Sequence, residues 1–235
     1  MGTGVCLTYA GAFINIKNMK WYNSLRIKGD NKMADIMTLL GGGNDSIYEE
    51  TIKSYLDDRK IILNQDIDTS VLEDVILHII KWNKEDKDIP TDKRKKIFIY
   101  LASDGWDVIA GNSLISVIES SQTPVVGVVF SMAASMASSI YIACHERLAF
   151  KTSVILIHDG TQGVYSSANK AKDVMKFYEK LDNVNKNLVI TRTNITEEEF
   201  ENNKDRERYF LAEEAKEKGI IDKIIGIDID MSYIF

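Results

Sequence analysis

Three apolar runs rich in β-branched residues, 60–64 (KIILN), 96–101 (KIFIYL) and 125–130 (VVGVVF), constrain this chain most. The first two are each followed by a segment whose apolar residues recur at helical spacing. Val71, Leu72, Val75, Ile76, Ile79 and Ile80 mark one such face, and Ile109, Leu114, Ile115 and Ile118 mark the next. The third run leads into nine small or flexible residues, 131–139 (SMAASMASS). Short buried strands separated by helices of this length become neighbours in one sheet through crossover connections, which run the strands parallel. The expected fold class is α/β.

The pattern continues in both directions. Ile47, Ile52, Tyr55 and Leu56 predict a helix over 46–59, with Asp45 or Ser46 at its cap. Residues 149–151 and 154–158 (VILIH) read as further strands, and 166–192 as a long helix through Val174, Phe177, Leu181, Val184 and Leu188. Two more helices are expected over 196–202, where Thr196 and Glu199 form a capping pair, and over 211–218, ended by Gly219.

Composition limits the function classes. With 235 residues, 45% of them hydrophobic, the chain has room for one well-filled domain and an appendage. A net charge of −6 disfavours a general nucleic-acid binder, and the basic cluster 91–96 (TDKRKK) reads as a solvated loop. Cys6 and Cys144 lie far apart, with no spacing suited to zinc, and a reducing, cytoplasmic setting is expected. No run approaches the ~20 apolar residues of a membrane span. The stretch 5–16 is short, broken by Asn15 and without a basic flank, a poor match to a secretory signal. Met33 offers a second start, and 1–45 reads as an N-terminal extension.

The run 131–139 lies between a strand and the apolar Ile140, Tyr141 and Ile142. Small residues let backbones approach closely at such a junction, and a serine there presents its Oγ beside the free N–H groups of a helix N-terminus. An acyl-transfer nucleophile needs that setting, although a Ser/Ala-rich helix packed tightly for structural reasons has the same composition. His158 closes the strand VILIH at a turn, where a general base is commonly displayed; a lone histidine there is more often structural.

Taken in order, four segments of 96–225 resemble the Clp protease proteolytic subunit family. IYLASDGWDVIAG (99–111) resembles its strand, Ser-Pro-Gly-Gly turn and helix, and VVFSMAASMASS (128–139) its Gly-Gln-Ala-Ala-Ser-Met-Gly segment. VILIHDG (154–160) resembles Ile-Met-Ile-His-Gln-Pro, and FLAEEAKEKGIIDKII (210–225) the signature that closes the family domain. SYLDDRKIILN (54–64) adds a resemblance upstream. The resemblance implies a crotonase-like fold over 46–228, with the long helix as a projecting handle and 229–235 as a tail. It implies a serine endopeptidase with Ser135 as nucleophile, His158 as base and the N–H groups of Gly105 and Met136 as oxyanion hole. It also implies heptameric rings stacked in pairs, cutting unfolded polypeptide supplied by an AAA+ unfoldase, with no metal, nucleotide or other cofactor in this subunit.

The chain departs from the family pattern at several positions. Counted back from the closing signature, the family aspartate falls on Asn203, and Asp205 is the substitute considered. Trp106 stands where the turn has its second glycine, Asp104 replaces its proline, and Ala137 replaces the glycine after Met136. The Ser135–His158 spacing is slightly short and resembles phage Clp-related head maturation proteases. Three functions are therefore weighed: an endopeptidase, a catalytically weak or silent ring subunit, and an acyl-CoA enzyme of the crotonase type.

Overall fold

The computed structural model describes residues 47–160 and 163–235. The chain divides into two units, Met1–Glu50 and Thr51–Phe235, and the fold that follows is that of the second. The expectations for 1–45, including a start at Met33, lie outside the described residues.

In chain order the elements are α1 (Ile47–Asp57), β1 (Lys60–Leu63), a π-helical turn (Leu72–Ile76) running into α2 (Leu77–Glu85), β2 (Ile97–Ser103), α3 (Val108–Ser120), β3 (Val125–Ala134) and α4 (Met136–Ala143). There follow β4 (Glu146–Phe150), β5 (Val154–Ile157), α5 (Ala168–Arg192), α6 (Glu197–Glu201), β6 (Arg208–Leu211), α7 (Ala212–Glu217) and β7 (Lys223–Ile225). The mixed α/β class is as expected, with β1-β2-β3-β4-β7 all parallel.

Period-two alternation sorts the strand residues between two cores. In β2, Ile97, Ile99 and Leu101 enter the larger core, which α2, α3 and α4 help to fill, while Phe98 and Tyr100 face the other side of the sheet. The smaller core adds Val126, Val128, Leu148 and Ile225, and is closed by a 3₁₀ turn at Met231–Ile234 whose Ile234 is buried. The 229–235 tail is thus folded against the sheet; the Tyr100 hydroxyl donates to the Ile234 carbonyl.

One strand behaves unexpectedly. The sequence predicts β3 over 125–130, but the ladder runs on to Ala134 because its second half acquires a new neighbour. Val126–Val129 pair with β4, then Met132–Ala134 pair with Val154–Leu156 of β5. The small-residue run is therefore half strand, and the helix begins only at Met136. Strand β6, hidden in what reads as a helix approach, pairs antiparallel with β5. At four residues, with Phe210 alone fully buried, it is too short to show a period.

Candidate active site

Ser135 sits at the hinge between β3 and α4 with φ 54° and ψ −124°, a left-handed conformation that costs a non-glycine residue about 1–3 kcal/mol. Its backbone is fixed on both sides. The N–H donates to the Leu156 carbonyl at 3.0 Å, and its own carbonyl accepts from the Ser138 N–H at 3.0 Å, the Ser138 hydroxyl at 2.7 Å and the Ser139 N–H at 3.3 Å. Around it Ala133, Ala134, Met136 and Ala137 are buried, so the surrounding core holds the strained turn in place. A serine on a sharp strand-to-helix turn has its Oγ thrust out of the backbone contour.

Gly105 lies against this turn with φ +95°. A Cβ on it would stand 2.6 Å from the Ala134 carbonyl oxygen and 2.7 Å from the Met136 nitrogen, a space only glycine fits. The 105 backbone and the first N–H of α4 are therefore neighbours, as an oxyanion hole needs. The Gly105 N–H donates to Ser103 Oγ at 3.2 Å, a long bond, while the Ser103 hydroxyl donates to the Gln65 carbonyl at 2.6 Å. Trp106 follows with φ 135° and stands 77% exposed. Backbone bonds on either side tie that strained residue down: Ile67 N–H to the Gly105 carbonyl at 2.8 Å, and Asp107 N–H to the Ile67 carbonyl at 2.9 Å.

His158 follows the last residue of β5, across a cleft of about 200 Å³ that Ser135, Met136 and Ser139 also line. Its Nδ1 lies 2.9 Å from Glu207 Oε1. A glutamate carboxylate can only accept, so Nδ1 carries the proton and donates, which leaves Nε2 as the basic atom. That Nε2 is buried and has no hydrogen-bond partner among the described residues. Serine and imidazole share the cleft without being bonded to one another, an arrangement common in catalytic pairs before substrate binds.

The sequence predicts Asn203 or Asp205 beside the histidine, and the structure puts neither there. The Asn203 amide donates to the Glu199 carbonyl at 2.7 Å, tying off the end of α6. Asp205 turns the chain at φ 58°, its N–H donating to the Asp159 carboxylate at 3.1 and 3.2 Å. Glu207 is the residue that sequence reasoning misses, and β6 explains its position. The antiparallel register pairs Leu156 with Tyr209 and Ile157 with Arg208. One step further along the same register sets His158 opposite Glu207, and directly opposed side chains lie within about 5.5 Å at Cβ. The signal that could have found it is a strand over 208–211 paired with VILIH, rather than a count from the closing signature.

The side chain of Glu207 is 55% exposed and that of His158 22%, so their interaction is partly screened by water. Deeper in the core, burial pushes the Cys144 thiol up to about 12, which leaves it protonated and unreactive. Among the described residues no cluster of three or more His, Cys, Asp or Glu is arranged to hold a metal ion. No helix among them is long and apolar enough to cross a membrane.

Fold and cleft together define a class: α/β proteins that set a serine at a strained turn opposite a carboxylate-bound histidine, the layout of hydrolases that work by acyl transfer. The family is narrower. A comparison with protein-family models matches residues 43–228 to the Clp protease family, and with most of its length covered the chain belongs to that family. Its members are serine peptidases that generally form oligomeric rings and work with unfoldases.

Proposed function

We propose that this protein is a serine endopeptidase that cleaves unfolded polypeptides inside an oligomeric chamber, with Ser135 as nucleophile and His158 as base. The observation that carries the reading is the burial of His158 Nε2, unpartnered among the described residues, in the cleft lined by Ser135. In the reaction Nε2 takes the Ser135 proton as Oγ attacks the peptide carbonyl, then returns it to the leaving amine; water attacks the acyl-enzyme by the same route. Glu207, not Asn203 or Asp205, holds the imidazole tautomer and stabilises its positive charge. The N–H groups of Gly105 and Met136 receive the oxyanion, which requires the Gly105 amide to give up its long bond to Ser103. Heptameric rings stacked in pairs, fed by an AAA+ unfoldase, complete the proposal by analogy with the family.

That occupied Gly105 amide also favours a second reading, a ring subunit that is catalytically silent. A fluorophosphonate probe separates the two. The endopeptidase reading expects labelling at Ser135 in assembled protein, and loss of peptide hydrolysis by at least ~10³-fold in Ser135→Ala. Assembled protein that neither labels nor cleaves leaves the silent subunit as the better account.

A further inference from the structure

Nothing in the core accounts for Trp106. Its side chain is 77% exposed and its φ of 135° is one that a side chain disfavours, so it adds strain and contributes little packing. The backbone fixes its place beside the nucleophile. A Cβ on Gly105 would stand 2.9 Å from Ser135 Cβ, and the Cα of Trp106 lies only ~3.8 Å from that of Gly105. Two residues on, Val108 lines the cleft shared by Ser135 and His158, and Ile109, in the first turn of α3, is 55% exposed. The main chain of Trp106 is open as well. Ile67 takes the Gly105 carbonyl on one side and the Asp107 N–H on the other. Both intervening peptide groups are trans, so the N–H and carbonyl of Trp106 itself point away from Ile67, and neither is bonded among the described residues. Ile67 follows β1, and β2 lies between β1 and β3. The free groups therefore face the side on which β3 turns off at Ser135.

A polypeptide laid along that side meets a donor and an acceptor on one residue, as a strand does at an open sheet edge, and its side chains pass the exposed indole. We propose that Trp106 determines specificity: its indole, with Ile109 three residues on, forms a platform that selects an aromatic side chain of the substrate one or two residues from the scissile bond. The inference rests on the reading of Ser135 as nucleophile, which fixes where the attacked carbonyl lies. An extended chain advances ~3.3–3.6 Å per residue, close to the step from Gly105 to Trp106, and this sets the offset from that carbonyl. Paired aromatic rings, offset or edge to face, gain more than the area they bury, whereas an alanine leaves the indole in water. The same contact gives a reason for the strain, since ligand clamps are among the places where disfavoured backbone conformations persist.

The test uses the full-length, assembled protein and pairs of peptides with one mapped cleavage site, identical except for phenylalanine or alanine, scanned through the two positions on each side of that site. At one of these positions kcat/KM should favour phenylalanine about tenfold, the order of gain that a buried aromatic pair supplies. Trp106→Gly should bring the two peptides close to parity, and Trp106→Phe, which keeps a ring, should restore most of the preference. Each comparison is a ratio within one variant, so a general disturbance of the neighbouring Gly105 amide slows both peptides alike and leaves the ratio where it was. Binding of the same peptides to Ser135→Ala, read by fluorescence polarisation, should depend on Trp106 in the same way. A phenylalanine preference that survives Trp106→Gly overturns the proposal, as does the lack of any such preference, or an equal rise in turnover of both peptides, which would make the indole an obstruction. The two readings fail separately: fluorophosphonate labelling of Ser135 with a ratio indifferent to Trp106 leaves the nucleophile standing and removes the platform, whereas Trp106-dependent binding of the phenylalanine peptide without labelling or turnover does the reverse.

Discussion

The two halves of the cleft are built in opposite ways. Ser135 belongs to the core: its turn is fastened by four hydrogen bonds, backed by buried alanines and pressed against Gly105. His158 and Glu207 belong to the rim, just past the ends of two short antiparallel strands, with a half-exposed carboxylate as support. The first half stores backbone strain that its surroundings over-determine. The second depends on one polar contact in reach of water, so the serine is rigid by packing while the histidine is held by a bond that a single substitution can remove.

Gly105→Ala attacks the packed half and carries the largest expected effect. A methyl group 2.6 Å from a backbone oxygen, at a φ disfavoured for alanine, should cost about 2–5 kcal/mol in denaturant unfolding and remove peptidase activity as well. A near-native midpoint would show that the turn is not the fixed element described. Glu207→Gln attacks the other half: it keeps an acceptor for Nδ1 but removes the charge. Because Glu207 is exposed, the expected loss in kcat is ~10- to 10³-fold, less than the ~10⁴ lost when a buried aspartate in this role becomes an amide. Stability should hardly change, and Asn203→Ala and Asp205→Ala should each stay within about threefold in kcat. If Asn203→Ala proved the damaging one, the family position would be the working one after all.

The packed half can also be loosened by acid, at the opposite end of the sheet. Burial alone would raise the pKa of Glu146, but hydrogen bonds from Lys96 (2.7 Å), Tyr233 (2.7 Å) and Lys223 (3.0 Å) outweigh it and bring the group down to about 2. A carboxyl with a folded value below its ordinary 4.5 contributes stability above pH 4.5 and loses it as the pH falls towards about 2. Glu146→Gln should flatten that part of the stability–pH profile while leaving kcat at neutral pH unaltered. The smallest effect is a gain: Trp106→Gly relieves the φ of 135° and gives up little packing from so exposed a side chain. Denaturant unfolding should show a net stabilisation of about 1 kcal/mol once the flexibility of glycine is deducted.

The same division explains what can be read from the sequence. Strands 97–101 and 125–130 announce themselves because both faces of the sheet are covered and their residues are almost all apolar. Ser135 and His158 stand out through local composition, small residues after a strand and a histidine closing one. The carboxylate partner of His158 cannot be found that way. Its position follows from how β6 lies on β5, a long-range pairing that four residues of mixed polarity do not advertise. Counting from the closing signature leads instead to Asn203, which the fold uses to finish a helix.

The double pairing of β3 has a further consequence, concerning evolutionary drift in length. Ala134 is locked beside Leu156, so the serine and the histidine are set by lateral register, each a step or two beyond a shared rung, rather than by the number of residues between them. A change of length in the exposed turn at 151–152, between β4 and β5, can be absorbed without moving either group. The slightly short interval from Ser135 to His158 is then a neutral trait, and spacing along the chain is a poor guide to whether the pair is aligned.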